Sequence, residues 1–248
     1  MKPNFPHRSL WLAAALLLFA SVATVSLPAM AQGTAQQLVP RLAATPLMEA
    51  LRSGGYTILF RHAKTVAFKP DPSLFDPDDC TTQRTLSDEG RRQAERIGQA
   101  FATLGIQISR VLSSPYCRCM ETGTLAFGAE NVETSSVLLV GDSRPGVGRE
   151  DPGIAIRELL DSAPEAGKNT VLIAHSVTLL YAFGLTSKPE GVAHVFRPTG
   201  LGLSRPEYIG MVKPEEWPAY AGLDTVAPTD AGSRTDSAVH GNEGASSQ

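Results

Sequence analysis

The chain has 248 residues, 22 basic and 25 acidic side chains, and a formal net charge of -3. That balance supplies no basic field of the kind nucleic-acid binding draws on, so nucleic acid is not an expected partner. The length suits one sizeable core rather than two.

Residues 1–31 read as a cleavable export signal. Lys2 and Arg8 make a basic start, Leu10 to Ala23 is apolar and uncharged, and Ala29-Met30-Ala31 is a small-x-small cleavage site before Gln32. The mature chain is expected in the periplasm or outside the cell, with no stable membrane anchor once the signal is removed. The apolar run is short for a membrane span, and no later segment is long and apolar enough for one.

Pro46 to Arg52 predicts a short amphipathic helix stopped by Gly54-Gly55. Tyr56 to Phe60 is a continuous β-prone run, expected as a strand buried on both faces that delivers Arg61 and His62 at its end. Val66 to Thr85, with Pro70, Pro72 and Pro77, predicts a long loop. Ser87 is a good N-cap, and Ala94, Ile97, Phe101 and Leu104 follow at helical spacing before Gly105. Val111 to Ser114 is the next buried strand, with Pro115 suited to the first position of a helix that ends at Gly128. A strand is expected at Val137 to Val140, a helix at Ile154 to Leu160, and a third buried strand at Thr170 to Ala174 that delivers His175. Val177 to Phe183 starts another helix. Val192 to Arg197 and Tyr208 to Val212 are expected to pair as an antiparallel edge. From Ala221 to Gln248 the chain is Gly, Ser, Thr, Asp and Ala with almost no large apolar residue, and a disordered tail is expected.

This alternation predicts an α/β fold, a three-layer α/β/α sandwich with a mostly parallel central sheet, in one domain over residues 41–217. Ligands in such sheets bind at the carboxyl ends of strands, where His62, the Ser113-Ser114 turn before Arg118, and His175 all fall.

Of the three cysteines, Cys117 and Cys119 are too close to pair comfortably with each other. In an oxidising compartment the expected disulfide is Cys80 with Cys117, and Cys80 with Cys119 stays open. Cys-x-Cys with no nearby His is a poor zinc pattern, and neither metal nor cofactor is expected.

Two arginines and two histidines at strand ends make a coherent phosphoryl-transfer set. Guanidinium forks match phosphate oxygens and spread their charge, and a neutral imidazole nitrogen can attack phosphorus. His7, His194 and His240 fall outside this set and are read as functionally silent.

The residues resemble a known family. Phe60-Arg61-His62-Ala63 is similar to the Arg-His-Gly motif of the histidine phosphatase superfamily, branch 1, the phosphoglycerate-mutase-like group. Leu86-Ser87-Asp88-Glu89-Gly90 with Gln93-Ala94, Ser113-Ser114-Pro115-x-x-Arg118-x-x-Glu121-Thr122, and Val171 to Ser176 resemble its later motifs in order. The resemblance implies His62 as the nucleophile of a phosphohistidine intermediate, with Arg61, Arg118 and His175 binding the phosphoryl group and no metal. Ala63, Gly123 and Ser176 depart from the usual Gly, Ala and Gly. No motif singles out the general acid, for which Asp142, Glu150, Asp151 and Glu158 compete.

The expected function is thus an exported phosphatase acting on a small phosphorylated substrate, with a cell-envelope sugar phosphate suggested by the compartment. The alternative is a catalytically inactive phospho-ligand binding module of the same fold. A phosphohistidine-protein phosphatase is a third reading, disfavoured by export.

Overall fold

A computed structural model describes residue 38 and residues 40–67, 76–139, 151–200 and 205–223. The expected signal at 1–31, the acid candidates Asp142 and Glu150, and the tail beyond residue 223 lie outside the described residues.

In chain order the elements are α1 (Ala44–Ser53), β1 (Thr57–Arg61), α2 (Asp88–Leu104), β2 (Ile108–Ser113), α3 (Cys117–Phe127), β3 (Val132–Thr134), α4 (Pro152–Leu160), β4 (Asn169–Ala174), α5 (Thr178–Phe183), β5 (Ala193–Arg197), β6 (Glu207–Val212) and α6 (Glu216–Tyr220). The six strands form one sheet in the order β3-β2-β4-β1-β5-β6. The pairs β3/β2, β2/β4 and β4/β1 are parallel, while β5 runs antiparallel to both β1 and β6.

Successive strand residues point to opposite faces, and the continuous apolar runs therefore feed two cores. Ile58 and Phe60 of β1 and Val171 and Ile173 of β4 pack with α1, α2 and α6 through Leu47, Leu51, Ile97, Phe101 and Trp217. Leu59 and Leu172 face the other way, onto Ile156 and Leu160 of α4 and Leu179 of α5. Both faces of the sheet are covered by helices, as the unbroken apolar strands predict. Leu38 and Leu223, just outside the expected 41–217, also pack against these cores.

Two local expectations are corrected. The segment expected as a strand at Val137 to Val140 is a 3-10 turn over Ser136–Leu138, with Val140 outside the described residues. The edge strand is instead β3, three residues long, because Val132 pairs with Val111 as soon as α3 ends at Gly128. Pro115 does not open α3. Tyr116 is its N-cap in extended geometry, and Cys117 is the first helical residue. The expected antiparallel edge pair is present as β5 and β6, with β6 outermost; β5 lies between β1 and β6, and His194 is buried opposite Leu59.

Candidate active site

The parallel centre of the sheet brings three chain ends together. The order β2-β4-β1 puts the residue after β4 between the residues after β2 and β1. Backbone bonds carry this alignment one residue further, from His62 N to Ala174 O at 3.0 Å and from Ser114 N to Ile173 O at 2.9 Å. His62 and His175 consequently face each other with ring centroids 5.7 Å apart.

Arg118, in the first turn of α3, is 3% exposed and lies against the same pair. Its Nη2 is 3.1 Å from His175 Nδ1, and its guanidinium carbon sits 4.4 Å from the centre of the Tyr116 ring. Since a guanidinium only donates, His175 Nδ1 must accept. The ring proton is then on Nε2, which donates to Ser114 Oγ at 2.8 Å.

The same logic sets the other imidazole. His62 Nδ1 is 2.9 Å from the carbonyl oxygen of Ala63, which can only accept, so Nδ1 carries the proton and Nε2 keeps its lone pair. Burial, and then the positive charge of Arg118, push the His62 pKa down to about 3. Burial and Arg118 likewise hold His175 well below the ordinary histidine value. Both rings are neutral at neutral pH.

Arg61, the last residue of β1, donates from Nη1 to Ser187 O at 3.2 Å and from Nη2 to Glu190 Oε1 at 3.1 Å. Its Nε is buried with no hydrogen-bond partner among the described residues. Glu190 also accepts from Thr65 N at 3.1 Å and Thr65 Oγ1 at 2.9 Å.

The start of α2 braces the segment after His62. Lys64 O accepts from Ser87 N at 3.0 Å and Ser87 Oγ at 3.2 Å, while Lys64 N donates to Gln93 Oε1 at 3.0 Å. Gly90 is where Lys64 comes closest, and a Cβ there would stand 1.9 Å from the Lys64 carbonyl oxygen. The Leu-Ser-x-x-Gly-x-x-Gln spacing is thus a clamp on one peptide, two residues past His62. From α3, Thr122 Oγ1 accepts from Ala63 N at 3.0 Å and donates to Arg118 O at 2.6 Å, tying the two segments together. Glu121 does not pair with Arg118. It accepts from Arg91 Nε at 2.7 Å and joins α3 to α2.

Cys80 and Cys117 form a disulfide, with Cα atoms 5.7 Å apart, and Cys119 is a buried thiol outside that bond. The bond ties the loop before α2 to the residue preceding Arg118. Gln83 adds to it, accepting from Cys117 N at 3.0 Å. Gln83 thereby takes up one of the backbone donors at the α3 N-terminus.

The structure therefore brings His62, Arg61, Arg118 and His175 together. It does not bring in the two acid candidates it describes. Asp151 caps α4 through Gly153 N at 2.9 Å, and Glu158 lies exposed on the same helix. Sequence reasoning missed Glu190 and Ser187, which hold Arg61 and stand in no recognisable motif. It also dismissed His194, whose Nε2 is 3.0 Å from Ser187 Oγ, behind the peptide that holds Arg61.

The model of the histidine phosphatase superfamily (branch 1) matches residues 57–137. No sequence among the curated proteins matches the chain. Similar solved structures include the protein histidine phosphatase SixA complexed with tungstate, 14% identical, covering 65% of this chain and 98% of that one with a TM-score of 0.45. Another is a phosphoserine phosphatase from Entamoeba histolytica in complex with 3-phosphoglyceric acid, at 15% identity, 63% and 95% coverage and a TM-score of 0.41. A mycobacterial glucosyl-3-phosphoglycerate phosphatase is 17% identical, with 57% and 89% coverage and a TM-score of 0.40. It is the histidine phosphatase superfamily (branch 1) that residues 57–137 of this chain match, over the stretch that carries Arg61, His62 and Arg118.

Proposed function

We propose that the chain is an exported phosphatase that hydrolyses a small phosphomonoester through a phosphohistidine on His62. The observation that carries this reading is the tautomer of His62: its proton is held at Nδ1 by Ala63 O, leaving Nε2 with its lone pair on a ring that feels the charges of Arg118 and Arg61. The lone pair attacks phosphorus, the leaving-group oxygen departs with the P–O electrons and takes up a proton, and the arginines bear the charge of the remaining phosphoryl oxygens. Water then attacks the phosphohistidine, returning the electron pair to Nε2 and releasing inorganic phosphate. The buried Nε of Arg61, without a hydrogen-bond partner among the described residues, supports an anionic occupant, because leaving such a donor unsatisfied costs about 1–3 kcal/mol.

The signal read over residues 1–31 supports export, and export favours a cell-envelope sugar phosphate as the substrate class. The test is acid-free quenched-flow trapping with a labelled aryl phosphate on the mature protein and on His62→Ala. An acid-labile label present in the first and missing in the second is expected. Full turnover by His62→Ala would overturn the mechanism, and phosphate binding without label or turnover would favour the binding module. N-terminal sequencing of the exported protein, expected to begin at Gln32, checks the compartment.

A further inference from the structure

We propose that His194 is a positioning residue for the phosphoryl site: acting through Ser187, it fixes the direction in which Arg61 presents its guanidinium. This deepens the phosphatase reading and rests on it for the identity of the ligand.

The sheet register puts the two side chains on one face. Side chains alternate along a strand, so Leu59 and Arg61 of β1 project to the same side. His194 of β5 stands directly opposite Leu59 and projects to that side as well, two residues back from Arg61. Ser187, from the segment that joins α5 to β5, bridges them: its carbonyl oxygen accepts from Arg61 Nη1 at 3.2 Å, and its Oγ is 3.0 Å from His194 Nε2.

Each polar group of Ser187 has a separate task. Its N–H donates to Ser176 O at 3.1 Å, next to His175, its carbonyl takes Arg61, and its hydroxyl meets His194. Residue 187 lies in no helix or strand, so no backbone ladder holds its peptide. The bond from Arg61 comes through a long flexible side chain, whereas His194 is a short side chain on a strand paired on both sides. His194 is steadied in turn from β6, where Tyr208 Oη is 3.4 Å from its Nδ1.

Ser187, His194 and Tyr208 are 2%, 7% and 8% exposed. Buried polar groups cost stability unless hydrogen-bonded, and an apolar side chain would fill this core beside Leu59 and Phe196 without that requirement. What the hydroxyl–imidazole–hydroxyl chain adds over packing is a fixed place for the Ser187 peptide. Burial also pushes the His194 pKa down to about 4, so the ring is neutral at pH 7 and its contribution is geometrical.

The geometry matters because Arg61 is held at both terminal nitrogens, Nη1 on Ser187 O and Nη2 on Glu190 Oε1. These two bonds set the plane of the fork and the direction of its Nε. A planar fork matches phosphate oxygens in one orientation, and a small misplacement forfeits much of the benefit.

The test uses the full disulfide-bonded mature chain and reads Kd for inorganic phosphate, KM and kcat for an aryl phosphate, and the ligand-free melting temperature. His194→Phe keeps a ring and removes both nitrogens. It should weaken phosphate binding ~3- to 10-fold and raise KM as much. His194→Gln, whose amide reaches the Nε2 position, should recover most of the loss. Ser187→Ala should lose as much as His194→Phe, and the double variant no more than either alone, because the two act in series. Ser187→Ala, the milder change, decides the question if the Phe variant does not fold. Leu160→Ala opens the same core from α4 and should lower the melting temperature while binding phosphate as the parent does.

A loss below about threefold in His194→Phe would overturn the proposal. Losses that add in the double variant would do so too, since His194 would then act other than through Ser187. Equal losses in the Phe and Gln variants, or a comparable loss in Leu160→Ala, would make the role one of packing. His194-dependent phosphate binding without a phosphoenzyme or turnover would overturn the phosphatase reading alone. A His62-dependent phosphoenzyme with KM and affinity indifferent to His194 would overturn this proposal alone. A parent that neither binds phosphate nor turns over the ester overturns both.

Discussion

Nη2 of Arg118 lies 3.1 Å from Nδ1 of His175, so the second histidine is held as a neutral acceptor by a permanent cation. Protonating Nδ1 would both break this bond and set two positive charges against each other. The direct consequence is that neither His175 nor His62 titrates in the ordinary histidine range. In NMR spectra of the ligand-free protein, the imidazole signals of both, assigned by substitution, should stay in the neutral form from pH 8 to pH 5. A midpoint near 6.5 for either ring would contradict the hydrogen-bond assignment.

Buried neutral histidines also make stability depend on pH. Burial holds His62 at about 3 and His194 at about 4, and His175 well below its usual value. The unfolded chain binds protons at these rings once the pH falls below about 6.5, while the folded chain does not. Their folded-state pKa values are depressed, so stability is unaffected above about 6.5 and is lost as the pH falls from there toward the folded values. Each group contributes at most about 1.4 kcal/mol per pH unit, or about 4 kcal/mol per unit for the three together. Urea unfolding at pH 7, 6 and 5 should show this slope before most carboxylates titrate, and a flat profile would count against it.

Thr122 offers a sharper probe of how the site is held. Its hydroxyl takes the Ala63 amide and gives its own proton to Arg118 O. Thr122→Val keeps the shape but strands a buried N–H, costing about 1–3 kcal/mol. Because Ala63 O fixes the His62 tautomer, turnover of an aryl phosphate should fall further than stability alone explains. Thr122→Ser should restore both. A Val variant as active as the parent would show that the His62 segment is held without this bridge.

The Cys80–Cys117 bond closes a loop with a sequence separation of 37. On the chain-entropy model this contributes roughly 4 kcal/mol. Replacing both cysteines with Ala should lower the unfolding free energy by up to that amount. It should also weaken phosphate binding, since Arg118 follows Cys117 directly and the start of α3 loses its covalent tie to the loop before α2. Unchanged stability in the double variant would mean that Gln83 holds the loop unaided.

Much of the architecture could be read from the chain because its apolar runs are unbroken. Tyr56 to Phe60 and Thr170 to Ala174 have no polar alternation, which is the mark of strands covered on both faces, and the strand ends then fall where His62 and His175 stand. The helices with caps were equally plain: Ser87 and Gly105 bound α2 as expected. Val132 to Thr134 escaped notice because a three-residue edge strand has no period of its own. Its pairing with β2, rather than its composition, makes it a strand.

For the site, the ordered motifs around Arg61, His62, Arg118 and His175 were visible because each is local in sequence. Local chemistry also limited the cysteine pairing to Cys80 with one of two partners. What the tertiary structure alone decided were the relations between distant segments: Glu190 bridging Arg61 and Thr65 across some 125 residues, and Gln83 accepting from Cys117 N beside the Cys80–Cys117 disulfide. Those depend on where loops are pinned after the sheet has formed, and a side chain on a loop has no periodicity through which its partners could be foretold.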